Sequence, residues 1–135
     1  MTTEETVRAA LDAYARGDLD AAMAHCADTI CFCNLAAPNS GLWQFDCHGQ
    51  AAVRAAFTQI ATEFAFEKYE IVELIASGNR AASRQKLRGR HRLTGAVFDS
   101  QIADFFTVED GKITHIQEFH DTALLSSLRI AARQS

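Results

Sequence analysis

The stretch IADFFTVEDGKITHIQEFHD, residues 102–121, decides how this chain is read. Two runs of alternating apolar residues flank Glu109-Asp110-Gly111. This pattern predicts two strands joined by a short turn, with a bulge, in which Gly111 supplies a positive φ. Ile102, Asp104, Phe106 and Val108 fall on one face of the first strand. Thr114, Ile116, Glu118 and His120 share one face of the second. Each row is mainly apolar yet carries an acid, Asp104 or Glu118. Burying a carboxylate is costly, so both acids are site candidates on physical grounds alone.

Working outward, the periodicity upstream is helical first and strand-like later. Thr2 or Thr3 caps a first helix in which Val7, Ala10, Leu11 and Tyr14 form one buried stripe. Gly17 ends it, and Asp18 caps a short second helix. Residues 28–34 alternate as a strand, with Ile30, Phe32 and Asn34 on one face and Cys31 and Cys33 on the other. Residues 35–49 form an irregular segment whose tryptophan, Trp43, either covers a pocket mouth or packs. A third helix is expected over residues 50–64. Strands follow over 66–76, 80–93, 97–108 and 112–120, and a helix over 122–133 closes the chain, with Asp121 as its cap. Helices followed by a curved antiparallel sheet that wraps them make an α+β domain with an internal pocket.

The whole chain suits a single domain over residues 1–135. Its 135 residues are 48% hydrophobic, enough for a real core, and its formal net charge of −4 argues against nucleic acid or an acidic membrane as partner. No apolar run reaches the roughly 18 residues that span a bilayer. The acidic, amphipathic start is unlike a secretory signal, and Cys26, Cys31, Cys33 and Cys47 follow no framework, so free thiols in the cytoplasm are expected. Cys31 and Cys33, with His25 and His48, lack the spacing of a zinc site, and no metal is expected.

Tight turns at Ser77-Gly78-Asn79 and Thr94-Gly95 would set Tyr69 opposite Leu87 and Gln85 opposite Asp104. One side of the sheet then collects Ile71, Glu73, Leu87, Ile102, Asp104 and Glu118, with His91 in the same row at an exposed strand end. Arg84, Lys86, Arg88, Arg90 and Arg92 fall on the other face. Glu70 opposite Lys86 and Asp99 opposite Arg90 make that face a salt-bridged surface rather than a nucleic-acid stripe.

The order of elements, together with GDLDAAMAHCADTI (residues 17–30), Gly49, ADFFTVEDGKI (103–113) and QEFHD (117–121), resembles the nuclear transport factor 2-like superfamily, in particular its SnoaL-like branch. The resemblance implies a conical α+β barrel with a mostly apolar pocket, commonly dimeric, on a fold that hosts isomerases, cyclases, dehydratases, epoxide hydrolases and non-catalytic modules. At the ketosteroid isomerases' general-base position stands Asn34, and at their oxyanion tyrosine Ala10, with Tyr14 a turn later. Asp104 matches their second oxyanion donor. Gln85 and Leu87 occupy the arginine and aspartate positions of limonene-epoxide-hydrolase-like enzymes, while Asn34 agrees with their water-holding asparagine. Glu118 falls at the single catalytic acid of the polyketide cyclases.

These observations converge on acid–base chemistry without a cofactor. Beside Leu87 and Ile102, Glu118 would lose hydration and hold its proton to higher pH, with Asp104 assisting by repulsion or as the protonated member. Asn34, Gln85 and Tyr14 would orient a small apolar substrate or its water. Phe32, Trp43, Tyr69, Leu87, Ile102, Ile116 and His120 complete the expected binding surface. The alternative is a non-catalytic domain of the same fold that binds a hydrophobic ligand or a protein, with the two acids satisfied by Gln85, His120 or water.

Overall fold

The computed structural model describes residues 1–134, with side chains through residue 131. Helix α1 (Thr3–Ala15) opens on a reciprocal capping box: the Thr2 hydroxyl accepts from the Glu5 amide at 3.1 Å, and the Glu5 carboxylate accepts from the Thr2 amide. Asp18 caps α2 (Leu19–Met23) by accepting from the Ala21 amide. Strand β1 (Cys26–Asn34) is followed, after the loop 35–45, by β2 (Asp46–His48), a short strand inside the stretch expected to be irregular throughout. Helix α3 (Gln50–Glu63) leads into β3 (Phe64–Ser77), β4 (Arg80–His91), β5 (Val97–Glu109) and β6 (Lys112–His120). Helix α4 (Thr122–Gln134) closes the described chain, its Leu124 amide held by the Asp121 carboxylate at 3.0 Å.

The six strands form one curved sheet in the order β2-β1-β6-β5-β4-β3, antiparallel except where β1 runs parallel to β6. The sheet stays open, with β2 and β3 as its edges. Its inner face packs on α1, α2 and α3 through Val7, Leu11, Met23, Ile30, Phe32, Val53, Phe106 and Ile113. A second apolar cluster, Phe64, Leu87 and Phe98, lies toward α4. Gly89 sits opposite Phe98, and a methyl group on its α-carbon would lie 2.5 Å from the Phe98 ring, so only glycine lets that ring cross β4.

Strand register departs from the tight-turn expectation in three places. Between β4 and β5 the His91 amide bonds the Ala96 carbonyl, enclosing a four-residue turn, 92–95, that the Gly95 amide closes on the His91 carbonyl. That shifts the pairing by two residues: Gln85 faces Ile102, and Asp104 faces Ser83. Asp99 accordingly pairs with Arg88 at 2.9 Å instead of Arg90, which finds Glu67. Tyr69 does lie opposite Leu87, and Glu70 opposite Lys86. A bulge between Ile71 and Glu73 turns Glu73 outward to Arg84, away from the pocket row, and brings Leu74 in against the core. A further bulge on β6 puts Ile113, fully buried, in the inner row beside Thr114. The β5–β6 turn has two residues of positive φ, Asp110 at 51° and Gly111 at 75°, which matches the right-handed twist of the strands.

His91 is buried instead of lying at an exposed strand end. Its Nε2 is 3.2 Å from Glu63, which the Arg129 guanidinium also binds at 2.6 Å. Arg129 donates as well to the Gly41 carbonyl and lies 4.5 Å over the Trp43 ring, while Ser126 donates to the Ser40 carbonyl. Helix α4 thereby fastens the 35–45 loop against the sheet. On the outer face, the arginine row is answered by Glu73, Asp99 and Glu67, and beside it Ile75, Phe105 and Phe119 stand exposed. The four cysteines are free; Cys31 Sγ lies 3.2 Å from His48 Nδ1, and no group of three or more metal-ligating side chains gathers among the described residues. No described helix is long and apolar enough to cross a membrane.

Candidate active site

Asp104 and Glu118 sit directly opposite each other on β5 and β6, both on the inner face. In an antiparallel pair this sets their Cβ atoms about 5 Å apart, close enough for one charge to govern the other. Two adjoining chambers open here, the inner on both acids and the outer on Glu118 alone, of about 80 and 60 Å³ measured as space open to the centre of a water molecule. The inner chamber lies under α1 and is bounded by Leu11, Tyr14, Phe32, Phe57, Tyr69, Asp104 and Ile116. The outer chamber lies toward the loop and α4, bounded by Asn34, Trp43, Phe64, Leu87, Phe98, Ser100, His120 and Leu125. Ile60, Phe66, Ile102 and Glu118 border both. Glu118 therefore stands at the partition.

Burial drives the electrostatics. Loss of hydration lifts the Asp104 carboxyl to about 7, against the pull of a 2.7 Å hydrogen bond donated by Gln85 Nε2. Glu118 is raised well above its ordinary range by burial and then by the Asp104 charge. Its carboxyl makes no hydrogen bond to any other described side chain or backbone amide, so its capacity faces the cavities. Burial also pushes the Tyr14 and Tyr69 phenols up, with both acids adding to the rise. Both phenols stay protonated and able to donate. Burial lowers His120, leaving a neutral imidazole beside the outer chamber.

The expected site residues gather, with two differences in role. Phe32, Tyr14, Tyr69, Ile102 and Ile116 line the inner chamber, and Trp43, Leu87 and His120 the outer. His120 makes no bond to Glu118. Asn34 borders the outer chamber, but its carboxamide is occupied by the loop: it donates to the Trp43 carbonyl at 3.0 Å and accepts from the Phe45 amide at 2.6 Å. Gln85 is fully buried and borders neither chamber; it stands behind Asp104. Trp43 is both a chamber wall and a packed ring, stacked on Phe45 at 5.5 Å. Sequence reasoning missed Ser83, although the polar alternation Ser83, Gln85 along an otherwise buried row was a visible signal. It also missed Phe66, because the β3 bulge between Phe66 and Lys68 breaks the alternation that would link it to Tyr69.

A carboxyl whose proton is held to higher pH and which has no hydrogen-bond partner among the described residues, opposite an acid held by the Gln85 amide, has the arrangement needed to exchange a proton with a bound molecule. Residues 7–116 match the SnoaL-like domain family, and the chain belongs to it. Among solved structures it is similar to a nuclear transport factor 2-like protein from Burkholderia thailandensis, at 25% identity and a TM-score of 0.79, covering 94% of this chain and 96% of that one. It is similar also to TerC co-crystallised with polyporic acid, at 17% identity and a TM-score of 0.80, covering 93% and 96% of the two chains. A provisionally assigned polyketide cyclase from Pseudomonas putida matches at 19% identity and a TM-score of 0.75, covering 94% and 97%. The comparison with curated proteins found no match.

Proposed function

We propose that this protein is a cofactor-independent isomerase, cyclase or lyase that transfers a proton on a small, apolar, uncharged carbonyl or enol compound. The observation that carries the reading is the Glu118 carboxyl, unbonded by the described protein and set where two apolar chambers meet, opposite Asp104. Neither chamber is lined by a lysine or arginine, so a charged acid substrate would find no counter-ion. Glu118 protonates an oxygen or carbon of the substrate, and Asp104 stabilises or receives the proton that leaves elsewhere. The SnoaL-like family and a structural neighbour provisionally assigned as a polyketide cyclase are consistent with this class of reaction.

The test begins with a thermal-shift screen of uncharged carbonyl, phenolic and enol compounds, since ligands that bind the folded state raise its melting temperature. With a turned-over hit in hand, Glu118→Gln should lower kcat by about 100- to 10,000-fold while ligand binding persists. A fully active E118Q enzyme would overturn the assignment. We also propose that the exposed Ile75, Phe105 and Phe119 patch packs on a second copy of the chain. On that face Arg84, Arg88 and Arg90 are paired with Glu73, Asp99 and Glu67, which favours close approach.

A further inference from the structure

Behind the acid pair lies a buried polar relay that the proposed reaction does not itself require. The Ser83 hydroxyl donates to Gln85 Oε1 at 2.7 Å. With its oxygen held there, the Gln85 carboxamide turns both N–H groups the other way, to Asp104 Oδ2 at 2.7 Å and to Tyr69 Oη at 3.1 Å. Gln85 is 0% exposed and Ser83 5%, so no solvent competes for these bonds. An amide that can only donate toward a carboxyl favours its ionised form. It also takes up a lone pair of the Tyr69 oxygen, leaving that phenol's proton free for the chamber.

From this geometry we propose that Gln85, oriented by Ser83, is the positioning residue that divides the roles of the acid pair: Asp104 carries the charge and Glu118 carries the proton. The inference rests on the acid–base reading above and deepens it. Two adjacent buried carboxyls with like surroundings would share one proton without preference. Here the surroundings differ, because Asp104 has a donor and Glu118 has none among the described residues. The groups facing Asp104 are Glu118 on β6, Tyr69 on β3 and Tyr14 on α1, and no cation lines the inner chamber to select the charged member instead. The asymmetry therefore lies in the amide.

The opposite state is poorer in hydrogen bonds. If Asp104 gained a proton, rotation of the Gln85 carboxamide by half a turn would let Oε1 accept from the Asp104 hydroxyl while Nε2 donates to Ser83 Oγ. One Nε2 hydrogen and the Ser83 hydroxyl hydrogen, both paired in the state described, would then lack partners in a buried site, so the relay favours ionised Asp104.

Carboxyl carbon-13 NMR of the unliganded protein tests the assignment without any substrate. In the wild type, Asp104 should titrate to the carboxylate at lower pH than Glu118. Gln85→Leu should raise the Asp104 midpoint by about one pH unit or more and lower that of Glu118, closing or reversing the gap. Ser83→Ala, which keeps the amide but frees its rotation, should shift both midpoints in the same directions by less, and serves alone if Q85L does not fold. A wild type in which Glu118 ionises first, or a folded variant whose two midpoints stay put, would overturn the proposal. Failure of the enzyme reading is distinguishable: an ordered pair of midpoints in a protein with no turnover leaves this inference standing and removes only that one.

Discussion

At the scale of single residues, the two acids were legible because a carboxylate in an apolar row has few innocent explanations. Alternation through residues 102–121 placed Asp104 and Glu118 on one face, and the structure sets them side by side. Which of them holds the proton was not legible, since that depends on a four-residue turn that brings Ser83, instead of Gln85, opposite Asp104. Burial also makes these acids a stability liability with a definite sign. Both ionise at higher pH in the fold than in the unfolded chain, so the fold is fully favoured below about 4 and loses stability as pH rises toward their folded values. For Asp104, a rise from 3.8 to about 7 corresponds to on the order of 4 kcal/mol when fully ionised. Melting curves should show it: Glu118→Gln matches the wild type near pH 4 and melts progressively higher than it from pH 5 to pH 8. A gain independent of pH would mean that Glu118 titrates normally.

At the scale of elements, helices and strands were legible from period and capping, and the Thr2, Asp18 and Asp121 caps all occur as expected. Bulges were not. Nothing in the spacing of Ile71, Val72 and Glu73 announces that one residue is skipped, and the skip is what sends Glu73 to the outer face. The long loop was legible as irregular, but its fastening was invisible, because Arg129 reaches it from nearly ninety residues away. The Glu63 carboxyl at the centre of that fastening is pushed up by burial but brought below its ordinary range by Arg129 and His91. Replacing Arg129 with Ala removes its bonds to Glu63 and Gly41 together. The expected cost is about 1–3 kcal/mol of stability, with faster amide hydrogen exchange confined to residues 35–45 and α4. Uniform acceleration across the sheet would place the loss elsewhere.

At the scale of the whole molecule, the class of fold was legible in the switch from helical to strand periodicity, and the open, six-stranded sheet bears it out with one parallel pair between β1 and β6. The division of the interior into two chambers was not, because it is drawn by Ile60 and Phe66, which come from a helix and a bulged strand. The outer face was read as a charged surface; its apolar centre emerges only when the row of Ile75, Ala82 and Phe105 is assembled from three strands. Light scattering on a sizing column should return twice the mass of one chain. Phe105→Glu should halve it and leave the melting transition cooperative, whereas a wild-type monomer would remove the self-association proposal.

The contact between Gly89 and the Phe98 ring has a consequence for how this protein can change. The ring forms part of the outer chamber's wall, and it lies flat across β4 only because residue 89 has no side chain. A single methyl there would force the ring to shift and so reshape the outer chamber's wall, the ring lining only that chamber. Under the proposed reading, the acid pair and the size of the outer chamber rest on separate positions, so a lineage could trade one ligand for another without rebuilding the acid pair.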